Sequence, residues 1–153
     1  MSIYVIALVI GVVAGLRVFT APAVVAWAAH TGALALGQGW ASFMASAWTP
    51  YVFSVLAAVE FVTDQLPKTP SRKVPQQFIP RLVSGGFSGA VIGASTGSTV
   101  AGLVLGVVGA VIGTFVGYEL RAKGAKAMGK DWPIAVLEDV IAVMLAVLAV
   151  SAV

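Results

Sequence analysis

The stretch from Ser84 to Tyr118 has no charged residue and carries a glycine at nearly every fourth position. The glycines form series with a spacing of four, at positions 85, 89, 93 and 97, at 102 and 106, and at 109, 113 and 117. In water, so many glycines would destabilise a helix by roughly 1 kcal/mol each relative to alanine. In lipid the backbone must keep its helical hydrogen bonds, and a stripe of glycines lets another helix pack closely against it. The stretch therefore predicts a hairpin of two glycine-faced transmembrane helices.

The composition of the whole chain also indicates a membrane protein. Of its 153 residues, 59% are hydrophobic and 10% are charged, whereas a soluble domain carries about 25% charged residues. We therefore predict an all-α, polytopic transmembrane helical bundle that forms one domain over residues 1–153, with about five spans. The predicted spans cover approximately residues 3–29, 48–66, 81–98, 100–120 and 133–153.

Two regions are expected to depart from straight helices. The first apolar segment, residues 3–29, would measure about 40 Å as one helix, against a hydrocarbon core of about 30 Å. Pro22 removes a helical hydrogen bond, so a break is expected near residues 16–22. The alternative is that this segment forms a re-entrant hairpin and does not cross. The second region is the proline-rich stretch 67–80, which is expected to be extended and rigid.

The basic residues are confined to two loops, and this pattern predicts an orientation. All but one of the nine Lys and Arg residues lie in or beside residues 67–81 and 121–130. Five spans place both loops on one side, which the positive-inside rule makes cytoplasmic. The N-terminus is then cytoplasmic and the C-terminus periplasmic, whereas a re-entrant first segment would place the N-terminus outside. Because the charge pattern follows membrane topology, it gives no reason to expect a nucleic-acid partner.

Ionisable side chains inside apolar segments are the candidate substrate- or ion-binding residues. A charged side chain at a span centre costs about 2.5–3.5 kcal/mol, so a pairing or functional role is expected. Crowded carboxylates raise one another's pKa, as a proton-coupled or cation site requires. The alternative is that these acids form static pairs with nearby basic residues. The candidates are Arg17, Glu60, Asp64, Glu138 and Asp139.

A second candidate site is an anion or lipid-headgroup site in the first basic loop. Its cations could clamp a phosphate or an anionic lipid headgroup, although an ordinary positive-inside topology signal is the favoured explanation for them. Its members are Lys68, Arg72, Lys73 and Arg81. The chain has no cysteine, and it lacks zinc-ligand spacing, a nucleotide-binding loop and a nucleophile elbow. No catalytic residue and no cofactor is therefore predicted, while a metal ion is left open.

Several short motifs together resemble a known family. The motifs are Gly15-Leu16-Arg17-Val18-Phe19-Thr20-Ala21-Pro22, Asp64-Gln65-Leu66-Pro67-Lys68-Thr69-Pro70-Ser71-Arg72, and Leu137-Glu138-Asp139, together with Arg81 and the glycine-rich hairpin. They resemble a bacterial inner-membrane family known only as a domain of unknown function. The resemblance covers nearly the whole chain and implies a bacterial inner-membrane location, and it implies no particular activity. It also implies that the polar residues of these motifs belong to one constellation.

Three functions remain open on this evidence. The leading prediction is a small transporter or channel-like protein for a small solute or ion, with Arg17 and the four acids as its intramembrane polar site. The second is a lipid-phosphate enzyme or anionic-lipid headgroup binder at the cytoplasmic face, in which Asp64, Glu138 and Asp139 would hold a divalent metal. The third is a structural or assembly subunit. Membrane lipids are the expected surroundings, and the glycine faces predict a homo-oligomer.

Overall fold

The computed structural model describes residues 1–66 and 71–153, and all regular structure in those ranges is helical. The predicted all-α class is thereby confirmed. The described part of the chain contains six α-helices and one 3-10 helix. They are α1 (Ile3–Leu16), α2 (Thr20–His30), the 3-10 helix (Trp40–Ala45), α3 (Thr49–Thr63), α4 (Pro75–Ala94), α5 (Thr99–Met128) and α6 (Trp132–Ser151).

The centre of the fold is a close packing of α4 against α5 through their glycines. A methyl group added at Gly106 would overlap the backbone carbonyl of Gly85, and one added at Gly102 would overlap that of Gly89. The reverse substitutions at Gly85 and Gly89 meet the same backbones of α5. The two helices therefore touch backbone to backbone, which only glycine at these positions permits.

Helix α1 packs on a neighbouring side of α5 in the same way. A methyl group at Gly109 would overlap the carbonyl oxygen of Leu8, and one at Gly113 would overlap that of Val12. The glycine stripes are thus covered by helices of the same chain. Glycine faces favour a homo-oligomer only where they are open to a partner, so the homo-oligomer stays a prediction that rests on the small interior of the bundle alone.

The first apolar segment is broken and turns back on itself. Helix α1 ends at Leu16, and α2 begins at Thr20. The amino group of Met1 lies 3.4 Å from the carbonyl oxygen of Ala152, so α1 begins at the end of the molecule where α6 finishes. Beyond α2, Thr31 lines a cleft together with Ser151, so α2 leads back to that same end. The break expected near residues 16–22 is therefore present, and residues 3–29 form a helical hairpin whose two ends lie at the same end of the molecule. The number of times this segment crosses a membrane stays a prediction.

Helix boundaries differ from the predicted spans in the basic regions. Helix α4 begins at Pro75, inside the stretch that was expected to be extended. Proline fits the first turn because the N–H groups of that turn have no acceptor within the helix, so the N–H that proline lacks is not missed. Pro80 lies within α4 and removes one hydrogen bond near its start. Helix α5 continues eight residues past the predicted end at 120, to Met128, and stops at Gly129 with a left-handed φ of 69°.

Two of the helices are long and apolar enough to cross a membrane, namely α5 with 30 residues and α6 with 20. The apolar helices α1 and α3 are shorter, with 14 and 15 residues. Large apolar side chains cover the outer surface of α6, including Val140, Met144 and Leu148, each about half exposed or more. An apolar surface of this kind is typical of a face that meets a lipid or protein partner.

We expect Gly106→Ala to destabilise the protein because the added methyl overlaps the Gly85 carbonyl. Overpacking of this kind costs about 1–3 kcal/mol. Thermal unfolding in detergent, followed by circular dichroism, measures the loss. The matched control is Gly39→Ala, at a site with negative φ and no neighbour closer than 4.0 Å. Equal stability of the two variants would contradict the backbone-to-backbone packing.

Candidate functional site

Arg17 lies at the break between α1 and α2, and its side chain is completely buried. Its guanidinium forms ion pairs with Asp64 and with Asp139. A third carboxylate, that of Glu138, lies 3.8 Å from its Nη2 atom. A buried charge without partners would be strongly destabilising, so these carboxylates are what allows an arginine at this depth.

Asp64 follows α3 and is the meeting point of three arginines. Its Oδ2 atom accepts a hydrogen bond from Arg17, and one of 2.6 Å from Nη1 of Arg121. Nη2 of Arg72 lies 3.6 Å from the same oxygen. The carboxylate therefore connects the helix break to the two arginines on its other side.

Glu138, in the second turn of α6, completes the group by binding Arg72 through both of its oxygens. Nη1 of Arg72 donates to Oε1, and Nη2 donates to Oε2 at 2.6 Å. Such bidentate pairs are the strongest and most directional arginine contacts. We call the whole group the arginine–carboxylate cluster, and its formal charges cancel because it contains three of each sign. Its members are Arg17, Asp64, Arg72, Arg121, Glu138 and Asp139.

Two further charged residues cap the backbone ends at the break. Glu60 accepts hydrogen bonds from the amides of Val18, at 2.7 Å, and Phe19, at 2.9 Å, at the start of α2. Nη1 of Arg81 donates to the carbonyls of Gly15 and Leu16, both at 2.8 Å, at the end of α1. An anion at a helix N-terminus and a cation at a C-terminus also complement the helix dipoles. Both residues therefore hold backbone groups that the broken helix would otherwise leave unpaired.

The predicted site residues are thus partly brought together. Arg17, Asp64, Glu138 and Asp139 converge as expected, whereas Glu60 binds backbone amides beside them. The three predicted lipid-headgroup residues that the structure describes do not form one clamp. Arg72 joins the carboxylates, Arg81 is buried against α1, and Lys73 lies outside, 3.3 Å from Glu119 and over the ring of Tyr118. Lys68 lies outside the described residues.

The sequence prediction missed Arg121 and Asp131. Nε and Nη2 of Arg121 donate to the two carboxylate oxygens of Asp131, at 2.9 and 2.6 Å, while its Nη1 binds Asp64. A signal for Arg121 did exist, because it lies four residues after Gly117 and so continues the glycine stripe of α5. A side chain on that stripe faces the interior of the bundle, so Arg121 belongs to the packed helix and not to the basic loop that was predicted to begin at residue 121.

An open cleft of about 430 Å³ reaches the cluster from the end of the molecule that carries the two basic regions. Asp64 lines this cleft and also pairs with Arg17, so a single carboxylate separates the cleft from the arginine at the helix break. We call it the polar cleft. Its other lining residues are Gln65, Leu66, Ser71, Arg72, Tyr118, Arg121, Ala122, Asp131 and Trp132.

The carboxylates proposed as metal ligands are engaged by arginines. Asp64, Glu138 and Asp139 each form at least one ion pair with an arginine of the cluster. Within residues 1–66 and 71–153, no three His, Asp or Glu side chains form a group that could hold a metal ion.

We expect Glu60→Ala to destabilise the fold because the amides of Val18 and Phe19 lose their acceptor. Buried unpaired polar groups cost about 1–3 kcal/mol each. The free energy of unfolding in detergent, measured against the exposed control Glu119→Ala, gives the effect. The control should change by less than about 0.5 kcal/mol. A loss no larger than that of the control would show that Glu60 does not hold the break.

Asp131 should titrate below the ordinary range of an aspartate. Hydrogen bonds from Arg121 stabilise its ionised form and hold the pKa of Asp131 below its usual value. A lowered pKa means that this pairing stabilises the fold above the ordinary aspartate pKa and ceases to do so as pH falls through the lowered value. Carboxyl NMR titration should show the pKa of Asp131 rising in Arg121→Gln and staying unchanged in Lys126→Gln. Equal pKa values in the wild type and Arg121→Gln would contradict the pairing.

Comparison with protein families finds one matching model, described as a domain of unknown function (DUF4126), over residues 4–152. No curated protein and no solved structure matches the chain.

Proposed function

The chain belongs to the DUF4126 family, and we propose that it is a small integral membrane transporter or channel-like protein for a small solute or ion. The site we assign to this function is the arginine–carboxylate cluster together with the polar cleft. One observation carries the proposal: Asp64 lines the open cleft and also holds Arg17 at the break of the first segment. Broken helices with polar residues at the break are typical substrate and ion sites in transporters.

We place the protein in the bacterial inner membrane with both termini on the periplasmic side. Arg72 and Arg121, from the two basic regions, line one cleft, so those regions share an end of the molecule. Met1 and Ala152 lie together, and α6 runs from the basic end to them. The positive-inside rule makes the basic end cytoplasmic. This orientation keeps the predicted periplasmic C-terminus and moves the N-terminus to the same side.

In this proposal the cluster is a gate at the base of the polar cleft. A buried charge tolerates loss of its partner only if another charge replaces it. A cation or proton that binds Asp64 therefore releases Arg17, and an anion that binds an arginine releases a carboxylate. Each exchange changes which groups hold the joint between α1 and α2.

The break between α1 and α2 lies between two groups of helices, α2 and α3 on one side and α1, α4 and α5 on the other. A transporter that moves one group against the other would need its hinge at this place. Arg81 ties the end of α1 to α4, and Glu60 ties the start of α2 to α3. Helix α1 also packs on α5 through glycines. Movement of α2 and α3 relative to α1, α4 and α5 would then bend the chain at residues 17–19. A ligand drives such a movement only if it binds one arrangement better than the other.

The second candidate is a structural or assembly subunit. It is favoured by the pairing of all three carboxylates of the cluster with arginines, which makes the group neutral. In that case the cluster would serve only to join helices.

Flux measurements in proteoliposomes separate the two candidates. We expect the wild type to exceed empty vesicles for at least one member of a panel of monovalent ions and small organic solutes. Asp64→Asn should lower that flux at least about tenfold, because it removes the charge that pairs with Arg17 and that a transported cation would have to bind. Glu119→Gln, which removes an exposed carboxylate of the same charge, should keep wild-type flux.

Thermal stability of the same variants completes the test, with Asp139→Asn as a second variant in case Asp64→Asn fails to fold. Reduced flux in a folded variant supports the transporter. Absence of flux in the wild type for the whole panel, with lower stability in both variants, would contradict it and favour the structural role.

A further inference from the structure

Arg121 lies between two clefts of opposite character. On one side is the polar cleft, and on the other is an apolar cleft of about 280 Å³ between α5 and α6. Arg121 lines both of them. Its apolar walls are Leu16, Gly117, Leu120, Ile134, Leu137 and Ile141. Glu138 also lines it, and both oxygens of that carboxylate accept hydrogen bonds from Arg72. A charged group at the boundary of a hydrocarbon-lined groove is the arrangement that an amphiphile requires.

The outer side of Arg121 already holds an anion, namely the carboxylate of Asp131. Asp131 receives Nε and Nη2 as a fork, and its side chain is 54% exposed, whereas Asp64 on the inner side is 8% exposed. Exposed ion pairs contribute little to stability, so the outer partner is the one that can be exchanged. A phosphate offers the same pair of oxygen acceptors to an arginine fork.

The carboxylate of Asp131 also has an alternative hydrogen-bond partner at the start of α6. It is the N-cap residue of α6, yet its side chain makes no capping hydrogen bond. An aspartate at this position commonly accepts from the third helical amide, here that of Ile134, and its charge suits the helix N-terminus. Release from Arg121 would therefore leave Asp131 with a favourable alternative and would open the fork.

We propose that Arg121 binds the phosphate of an anionic membrane lipid, with one acyl chain of that lipid lying in the apolar cleft between α5 and α6. Asp131 occupies the phosphate position when the lipid is absent. The charge of the region suits an anionic head, because Lys123 and Lys130 follow on the same segment and the chain carries a net charge of +3. This inference goes beyond the proposed transport and does not depend on it.

Native mass spectrometry of the purified full chain in a nonionic detergent tests the proposal directly. The probes are short-chain phosphatidylglycerol, phosphatidylcholine with the same chains, and glycerol phosphate without chains. We expect one bound phosphatidylglycerol, with at least about tenfold preference over phosphatidylcholine, as for a charge-assisted arginine–phosphate contact. Glycerol phosphate should bind at least about tenfold more weakly, because it cannot use the apolar cleft.

Two pairs of charge-matched variants identify the phosphate contact. Arg121→Gln should abolish the preference for phosphatidylglycerol, while Lys126→Gln, with the same loss of charge on an exposed position of α5, should keep it. Asp131→Asn should strengthen binding by removing the internal competitor. Glu119→Gln raises the net charge equally and should have a smaller effect.

A third pair tests the acyl-chain contact. Ile141→Trp should fill the apolar cleft and weaken binding, whereas Val140→Trp, on the adjacent outward position of similar exposure, should not. The proposal is overturned if the two lipids bind equally or if glycerol phosphate binds as well as the lipid. Equal effects within either the Arg121–Lys126 or the Ile141–Val140 pair would also overturn it. If Arg121→Gln does not fold, the Asp131 and Ile141 variants still decide.

Discussion

The fold depends on neutralising one arginine where no water reaches it. Arg17 lies at a break in an apolar segment, and the charge can be buried there only because Asp64 and Asp139 are close enough to pair with it. Those carboxylates come from the end of α3 and from α6, and Arg72 and Arg121 pair with Asp64 and Glu138 in turn. The need to pair one charge thus joins helices that are far apart in sequence. The broken backbone has the same requirement, and Glu60 and Arg81 meet it by binding its free amides and carbonyls.

Glycine packing is what makes these contacts possible. Because α1, α4 and α5 touch backbone to backbone, the side chains at the ends of their glycine stripes meet at short range. Arg121 follows Gly117 by one helical step on α5 and so points towards Asp64. A larger residue on any of these stripes would separate the helices and with them the ion pairs. The ion pairs of the cluster therefore depend on the short distances between helices that the glycines allow.

The neutral charge of the cluster also determines how it could work. In the proposed transport, a ligand would meet only paired charges within the cluster and would have to replace an internal partner of the same sign, so its affinity would be the difference between two pairings. Buried pairs such as Arg17 with Asp64 resist this exchange, whereas the exposed pair of Arg121 with Asp131 yields more easily. The exposed fraction of the side chains falls from Asp131 through Asp64 to Arg17, so the ion pairs become harder to exchange from the mouth of the polar cleft inwards. Ligand exchange would begin at its mouth and would reach the helix joint last.

The sequence by itself determined the helical class, the close packing of the glycine-rich stretch and the convergence of Arg17 with Asp64, Glu138 and Asp139. The first two follow from local composition, and the third follows from the cost of a charge in apolar surroundings. None of the three requires knowing where the chain turns. Only the tertiary structure decided that α2 turns back beside α6, that Glu60 and Arg81 hold backbone, and that Arg121 belongs to the cluster. Hydropathy describes each segment alone, and a broken helix is equally apolar whether it continues or returns. Likewise, the partner of a charge depends on distances between helices remote in sequence, which are set only when the whole bundle has packed.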